Sequence, residues 1–316
     1  MSRCLVTGGA GFIGSHIVEH LIKKGYFVRV LDNFSSGKKE NLEFTQGLGK
    51  DKFELVRGDI REAQVCDQAC RGMDYVFMQA ALRSVPQSMK NPSAYNDVNI
   101  EGTLRMLEAA AKHKIKRFVF ASSSSVYGDT KIFPEKEDHL PLLISPYALT
   151  KLAGEYYCRI FSEHFELPTV CLRYFNVFGP RQALDDEYAV VVPKFIHCLM
   201  HDEQPPIFGT GKQSRDFTYI DNVVSANLLA ATTAGLKHEV FNVANGEDQT
   251  VLELAKVLNK ILHKNIKPKL LNPRPGDVFK TLADITKIKK RLQYRPLVNF
   301  EEGLKKTTDY FKASRP

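Results

Sequence analysis

The stretch RCLVTGGAGFIGSHIVEHLIKKG, Arg3 to Gly25, decides the fold. Its opening residues form a short apolar run that reads as a buried strand. Its second half reads as a helix, with Ile17, Leu21 and Ile22 on one face and Gly25 as its stop. Between them, Gly8, Gly11 and Gly14 repeat as G-x-x-G-x-x-G. In this strand-to-helix context the glycines let the backbone turn tightly and approach a pyrophosphate. The helix N-terminus then offers N–H groups and the positive end of its dipole. A plain strand-to-helix turn is the alternative reading.

Moving outward, the same rhythm continues. Strands are expected in YFVRVLD, FELVRGDI, DYVFMQAA, KRFVFASSSS and PTVCLRYFNVFG. Helices are expected in QVCDQACRGM, NDVNIEGTLRMLEAAAKHKI and SPYALTKLAGEYYCRIFSEHF. Such alternation argues for an α/β fold, a parallel sheet wrapped by helices on both faces. After Gly179 the chain becomes rich in loops with proline and glycine, with helices interleaved, notably in VLELAKVLNKILHK. HEVFNVANG, beginning at His238, reads as a strand that returns to the sheet. The expected division is a cofactor domain over 1–179, with returning segments around 215–245, and a substrate lobe mainly over 180–316.

Composition narrows the function classes. The chain has 316 residues, 43% hydrophobic and 25% charged, so it can bury a core without metal or disulfide staples. It carries no apolar run near membrane-span length and no signal-peptide pattern, which points to a cytoplasmic protein without membrane association. The six cysteines form no C-x-x-C, and reduced thiols are expected. His197 and His201 share the i, i+4 spacing of a metal pair, but no third zinc ligand accompanies them and no metal is expected. The net charge of +8 includes the cluster KIKKRLQYR from Lys287. A solvated helix face, with arginines for an anionic substrate, is favoured over nucleic-acid binding, because no nucleic-acid motif accompanies the charge.

Asp32 closes the second strand, where a carboxylate accepts hydrogen bonds from an adenosine ribose and repels a 2′-phosphate. That favours NAD over NADP, although Lys38 and Lys39 follow closely. Asp59 ends the third strand and either meets the adenine edge or caps the next helix. Tyr147 and Lys151 lie four apart on one helix face. An adjacent ammonium and a cationic nicotinamide favour the phenolate of a tyrosine. Tyr147 could then take a proton from a sugar hydroxyl as hydride leaves the carbon.

With TGGAGFIGSH, LDNFSSG, GDI, SSSSVYG, YALTK, RYFNVFGPRQ, SRDFTYI and RPGD in order along nearly the whole chain, the sequence resembles the extended short-chain dehydrogenases/reductases. Within them it resembles the nucleotide-sugar 4-epimerases. The resemblance implies a Rossmann-type doubly wound sheet with a smaller interleaved C-terminal lobe, tightly held NAD and a UDP-sugar substrate. It also implies a homodimer joined by the two long helices around Leu104 and Tyr156. The implied catalytic residues are Ser123, Tyr147 and Lys151, with Ser123 bonding the sugar O4. Implied cofactor contacts, besides Gly8, Gly11, Gly14, Asp32, Asp59, Tyr147 and Lys151, begin with Phe12, Ile13, Asn33, Ser35, Ser36 and Gly37. They continue through Ile60, Gln79, Ala80, Ala81, Arg83, Asn99 and Tyr174.

On the substrate side the resemblance implies Ser84, Ser123, Ser124, Tyr147, Asn176 and Val191. Arg215 and Arg274 are implied for the diphosphate, Asp277 for the ribose, and Thr281 for the sugar wall. Sugar dehydratases and decarboxylases of similar pattern carry carboxylates where Ser124 and Ser125 stand, so elimination or decarboxylation is disfavoured here. Thr281 stands where some hexose-only epimerases carry tyrosine, leaving room for a 2-acetamido group. Arg83 replaces the lysine common among glucose-type epimerases. UDP-GlcNAc/UDP-GalNAc therefore ranks first, UDP-Glc/UDP-Gal second and UDP-GlcA third. A same-fold lyase and a non-enzymatic NAD sensor are the competing readings. A sensor has no use for Ser123, Tyr147 and Lys151 together.

Overall fold

The structure is a computed structural model and describes residues 1–183, 191–273 and 278–313. A parallel sheet is built from β1 (Arg3–Thr7), β2 (Phe27–Asp32), β3 (Phe53–Arg57), β4 (Tyr75–Met78), β5 (Arg117–Ser123), β6 (Thr169–Tyr174) and β11 (His238–Val243). Their order across the sheet is β11-β6-β5-β4-β1-β2-β3. The returning strand expected at His238 is therefore its edge, beside β6. This is the doubly wound α/β arrangement. Because β1 lies between β2 and β4, the strand order reverses there, and a crevice opens beyond the carboxyl ends of β1 and β4.

Helices cover both faces. On one side β1 and β5 send Leu5, Phe118 and Phe120 against α2 (Ala63–Cys70), α5 (Gly102–Lys112) and α6 (Pro146–His164). On the other, Cys4, Val6, Val119 and Ala121 meet α1 (Phe12–Lys23) and α8 (Ile220–Thr232) in a second buried cluster. Alternate residues of one strand thus enter different cores, which is why these strands read as continuous apolar runs. The six cysteines are free and buried, with Cys66 and Cys70 together on α2.

Short elements connect and extend this frame. α3 (Val85–Lys90) and α4 (Pro92–Tyr95) follow β4. The long helix expected from Asn96 opens instead with a π-helical turn, Asn96–Glu101, before α5 begins at Gly102. The sixth strand is also shorter than expected. Asn176, at φ 30°, breaks it, and β7 (Val177–Phe178) turns away to pair with β10 (Thr218–Tyr219). Two further pairs, β8 (Pro206–Phe208) with β13 (Lys269–Leu271) and β9 (Ser214–Arg215) with β12 (Gln249–Thr250), belong to the later lobe. So do α7 (Val191–Met200), α9 (Val251–Leu262), α10 (Thr286–Leu292) and α11 (Phe300–Ala313). Thr250 and Glu253 start α9 with a reciprocal capping box.

Two surface expectations meet defined geometry. In the basic cluster, Lys287 and Arg291 pair with Glu239 at 2.9 and 2.8 Å. The rings of His197 and His201 lie 4.3 Å apart, and the atoms near enough to share an ion are instead those of His197, Cys198 and Glu203. Among the described residues no helix is long and apolar enough to cross a membrane.

Candidate active site

The glycine turn sits at the crevice. Gly8, at φ +66°, donates its N–H to the Leu31 carbonyl at 2.8 Å. A Cβ there would lie 2.8 Å from the Ala80 nitrogen, and a Cβ at Gly14 would lie 2.1 Å from the Gly8 carbonyl oxygen. The chain passes itself so closely that only hydrogen fits at these two positions. α1 begins with no side-chain cap at Gly11, so the N–H groups of its first turn remain directed at the crevice.

A cavity of about 430 Å³ opens over this turn. Its walls include Gly8, Gly11, Phe12, Ile13 and Gly14 of the turn and Asp32, Asn33, Ser35, Ser36 and Gly37 beyond β2. Asp59 and Ile60 follow β3, and Gln79, Ala80, Ala81 and Arg83 follow β4. Tyr147, Lys151 and Tyr174 close the far end. Asp32 is fixed by the backbone N–H of Ala10 at 2.9 Å and of Phe34 at 2.8 Å, one on each oxygen. Asp59 accepts from Asn33 at 2.9 Å and from the guanidinium and backbone of Arg61, and the Arg61 bond holds its carboxyl well below the usual range. Asp59 thus both faces the cavity and caps the turn before α2.

Asn99 sits elsewhere. It does not line the cavity. It lies buried behind the wall, where its Oδ1 accepts from the Leu82 backbone at 2.8 Å and its Nδ2 donates to the Leu82 carbonyl and to Thr150. An amide there completes the backbone bonds of a segment that has left the sheet. The sequence also missed several wall residues. Ser122, Arg61 and Arg181 face the cavity. Asn227, buried on α8, donates to the Tyr174 hydroxyl at 2.8 Å, and Gln79 reaches the same hydroxyl at 3.1 Å. Only the SSSS and GPRQ runs gave any signal for Ser122 and Arg181.

At the chemical end, α6 starts from Ser145, whose hydroxyl accepts the Ala148 N–H at 3.2 Å, with Pro146 following. That start sets Tyr147 on the first turn beside the end of β5. Tyr147 lies beside Ser123, which eases its ionisation, and the Ser123 hydroxyl donates to the Ser125 hydroxyl at 3.0 Å and accepts the Ser125 N–H at 3.1 Å. The Lys151 ammonium donates to the Ala121 carbonyl at 2.8 Å and lies 5.9 Å from the Tyr147 ring centre. Burial lowers the Lys151 pKa to about 8. The expected lowering of the Tyr147 pKa does not occur in the protein alone. Burial pushes the phenol up, and the Ser123 bond and the Arg83 charge pull it back only in part. A further cation in the cavity is needed to favour the phenolate.

The substrate-side residues fall into two groups. Ser84 caps α3, Ser124 stands half-buried beside Ser123, and Val191 begins α7. Asn176, just past β6, meets Thr281, and Arg215 stands next to Asp216, which contacts the same residue. The Asn176 amide donates to the Thr281 hydroxyl at 2.9 Å, and the Asp216 N–H meets the same oxygen at 3.3 Å. Arg215 donates to the Ser214 and Phe279 carbonyls. Arg274 and Asp277 lie outside the described residues.

Behind Thr281, two buried carboxyls hold the backbone. Asp216 accepts from Asn245, Gly246 and Ala283, and Glu135 accepts from Leu282. Burial raises both, from 3.8 and 4.5 to about 7. The folded chain therefore binds more protons than the unfolded chain between about pH 4 and 7, and linkage makes their contribution to stability fall as pH rises through that window. Asp216→Asn removes one such ionisation. Its melting temperature, relative to the parent protein, is expected to be higher at pH 8 than at pH 5. A difference independent of pH removes Asp216 from this account.

Comparison with known proteins places these features among relatives. The profile described as NAD dependent epimerase/dehydratase family matches residues 4–244. A UDP-glucose 4-epimerase of Mycolicibacterium smegmatis is 36% identical over 98% of both chains. A UDP-N-acetyl-alpha-D-glucosaminuronate decarboxylase of Bacillus cytotoxicus is 34% identical over the same share. Among solved structures, a UDP-N-acetylglucosamine 4-epimerase from Methanobrevibacter ruminantium, in complex with UDP-N-acetylmuramic acid, superposes with a TM-score of 0.94 at 40% identity. A UDP-glucose 4-epimerase from Thermotoga maritima, with UDP-glucose, gives 0.93 at 41%. Each covers 99% of both chains.

Proposed function

This chain belongs to the NAD dependent epimerase/dehydratase family, and we propose that within it the chain is a UDP-sugar 4-epimerase whose preferred pair is UDP-GlcNAc and UDP-GalNAc. The observation that carries the reading is the joined Ser123, Tyr147 and Lys151, with serines rather than carboxylates at 124 and 125. The cavity fits a dinucleotide. An uncapped helix N-terminus suits its pyrophosphate, close-passing glycines admit its backbone contacts, and Asp32 suits its ribose. Bound NAD supplies a hydride acceptor and donor for the sugar C4.

The chain's own residues handle the proton. Tyr147 takes the O4 proton as C4 becomes a carbonyl, and Ser123 holds O4 beside the phenol. Lys151, fixed on Ala121, keeps positive charge next to the phenolate. When the carbonyl is reduced on its other face, Tyr147 returns the proton. Arg215 is the described cation assigned to neutralise the diphosphate. The homodimer contact runs along α5 and α6 around Leu104 and Tyr156, where α6 exposes Tyr156 and Ile160.

Thr281 supports the acetamido preference. It is small and its hydroxyl is engaged by Asn176 and Asp216, so the wall stops short of a tyrosine ring. Thr281→Tyr is expected to shift the ratio of kcat/KM values for UDP-GlcNAc over UDP-Glc downward by about tenfold or more. An unchanged ratio would remove Thr281 as the specificity wall. The whole reading is tested by incubating the purified protein, with no added cofactor, with UDP-GlcNAc, UDP-Glc and UDP-GlcA separately, and following the anomeric protons by NMR. UDP-GalNAc as the fastest product supports it. A pentose or a 4-keto-6-deoxy sugar instead indicates a lyase, the activity type of the decarboxylase relative.

A further inference from the structure

Beneath the joined Ser123 and Tyr147 lies a buried ionic group that the proposed chemistry does not use. Glu155 and Arg173 are both nearly inaccessible, at 5% and 4% exposure. Their contact is a two-point fork, with Arg173 Nε to Glu155 Oε1 at 2.9 Å and Nη2 to Oε2 at 2.7 Å. Ser122, buried at 2% exposure, donates its hydroxyl to the same Glu155 Oε1 at 2.5 Å.

The placement along α6 is systematic. Tyr147, Lys151 and Glu155 are four apart and share the face turned to β5. Lys151 bonds the Ala121 carbonyl, Glu155 bonds Ser122, and Tyr147 lies beside Ser123. Two successive residues of β5 are thus tied to two successive turns of the helix, directly below the Ser123 and Tyr147 pair. Arg173 extends the group in two directions. It stands on β6 in register with Ser122 and faces the Tyr127 ring at 4.8 Å. Its Nη1 donates to the Glu137 carbonyl at 3.2 Å. Glu137 in turn accepts the Asn242 N–H, and the Asn242 amide donates to the Glu135 and Asp284 carbonyls. The chain of bonds therefore runs from the catalytic helix to Asp284, in the irregular segment that also carries Thr281.

A buried ion pair adds little net stability over an apolar pair of the same shape, so its presence here calls for another use. A hydroxyl-to-carboxylate bond between a strand and a helix fixes their sliding position, and proton transfer is sensitive to that position. We propose that Ser122, held by the Glu155–Arg173 pair, is a positioning residue that sets the distance between Ser123 and Tyr147. This inference rests on the roles proposed above for Ser123 and Tyr147.

The test uses the full-length protein with its bound cofactor and UDP-GlcNAc, UDP-Glc and UDP-GlcA as substrates. Ser122→Ala leaves the ion pair whole. It is expected to lower kcat about tenfold, with KM and cofactor content within about twofold of the parent. Ser122→Thr, which keeps the hydroxyl, restores most of kcat. In a Ser123→Ala background the Ser122→Ala change is expected to add little, because both act through the same contact. Parent-like kcat in Ser122→Ala, a loss carried by KM or cofactor content, failure of Ser122→Thr to restore the rate, or full additivity with Ser123→Ala overturns the proposal. If the parent protein itself epimerises none of the three sugars, the functional reading fails instead, and the two failures are distinguished by that control.

Discussion

Tyr147→Phe is expected to lower kcat for C4 epimerisation by about 10³-fold, the scale of losing a positioned general acid–base group. The substitution is narrow. The ring keeps its edge contact with Tyr95, 6.4 Å between centres at 88°, and its place beside the Lys151 ammonium. Only the hydroxyl is lost, and with it the interaction with the neighbouring Ser123. The phenol is the group that can carry the O4 proton both ways, since the Lys151 ammonium is turned to the Ala121 carbonyl. The loss should therefore appear in kcat, with substrate KM changed far less. The measurement is the initial rate of epimer formation by NMR, at saturating UDP-sugar, for parent and variant. Turnover within about tenfold of the parent would exclude Tyr147 as the base, since acid–base groups contribute more than that.

Gly14→Ala is expected to have the largest effect on the folded state. The added methyl would sit 2.1 Å from the Gly8 carbonyl oxygen and 2.9 Å from both the Gly8 carbonyl carbon and the Gly9 Cα. All three are backbone atoms, so no side chain can rotate away. Either α1 or the turn must move, at a cost of about 3 kcal/mol on the scale of overpacked cores. The movement separates the first turn of α1 from Gly8, and the cofactor cradle depends on both. Bound NAD, read by absorbance of the released cofactor, should fall to a small fraction of the parent's. Gly25→Ala is the control. Gly25 has φ +81° and nothing within 4 Å of the added methyl, so only the conformational cost of about 1–2 kcal/mol applies. A Gly14→Ala protein that melts with the parent and holds its cofactor would show that the turn relaxes without consequence.

The parts legible in the sequence were those governed by local rules. The glycine turn, the Tyr147–Lys151 spacing and the alternation of apolar runs with helical patterns all lie within short windows. Period and spacing could place them on strands, turns and helix faces. The unread parts depend on groups that are distant in the chain. The bonds that fix Asn99 could not be read ahead: its amide meets Leu82 and Thr150, the latter 51 residues away. Asn227 meets Tyr174 from 53 residues away, and no spacing announces it. The upward push of burial on the Tyr147 phenol in the protein alone was not legible either, because composition does not reveal burial. The early end of β6 follows from the φ of 30° at Asn176, a conformation the apolar pattern around it concealed.

The edge strand β11 carries a consequence for how such a molecule can diversify. Between β6 and β11 the chain leaves the sheet, builds much of the later lobe and re-enters at His238. It then departs again through α9 and returns contacts at Glu135 from Leu282 and Asp284. A gene segment encoding the later lobe alone would carry the sheet's edge with it, and a segment ending at Gly179 would leave β6 exposed. The lobe cannot be exchanged as a cassette. A change of substrate preference is then expected through single wall residues or loops rather than through exchange of a separate unit.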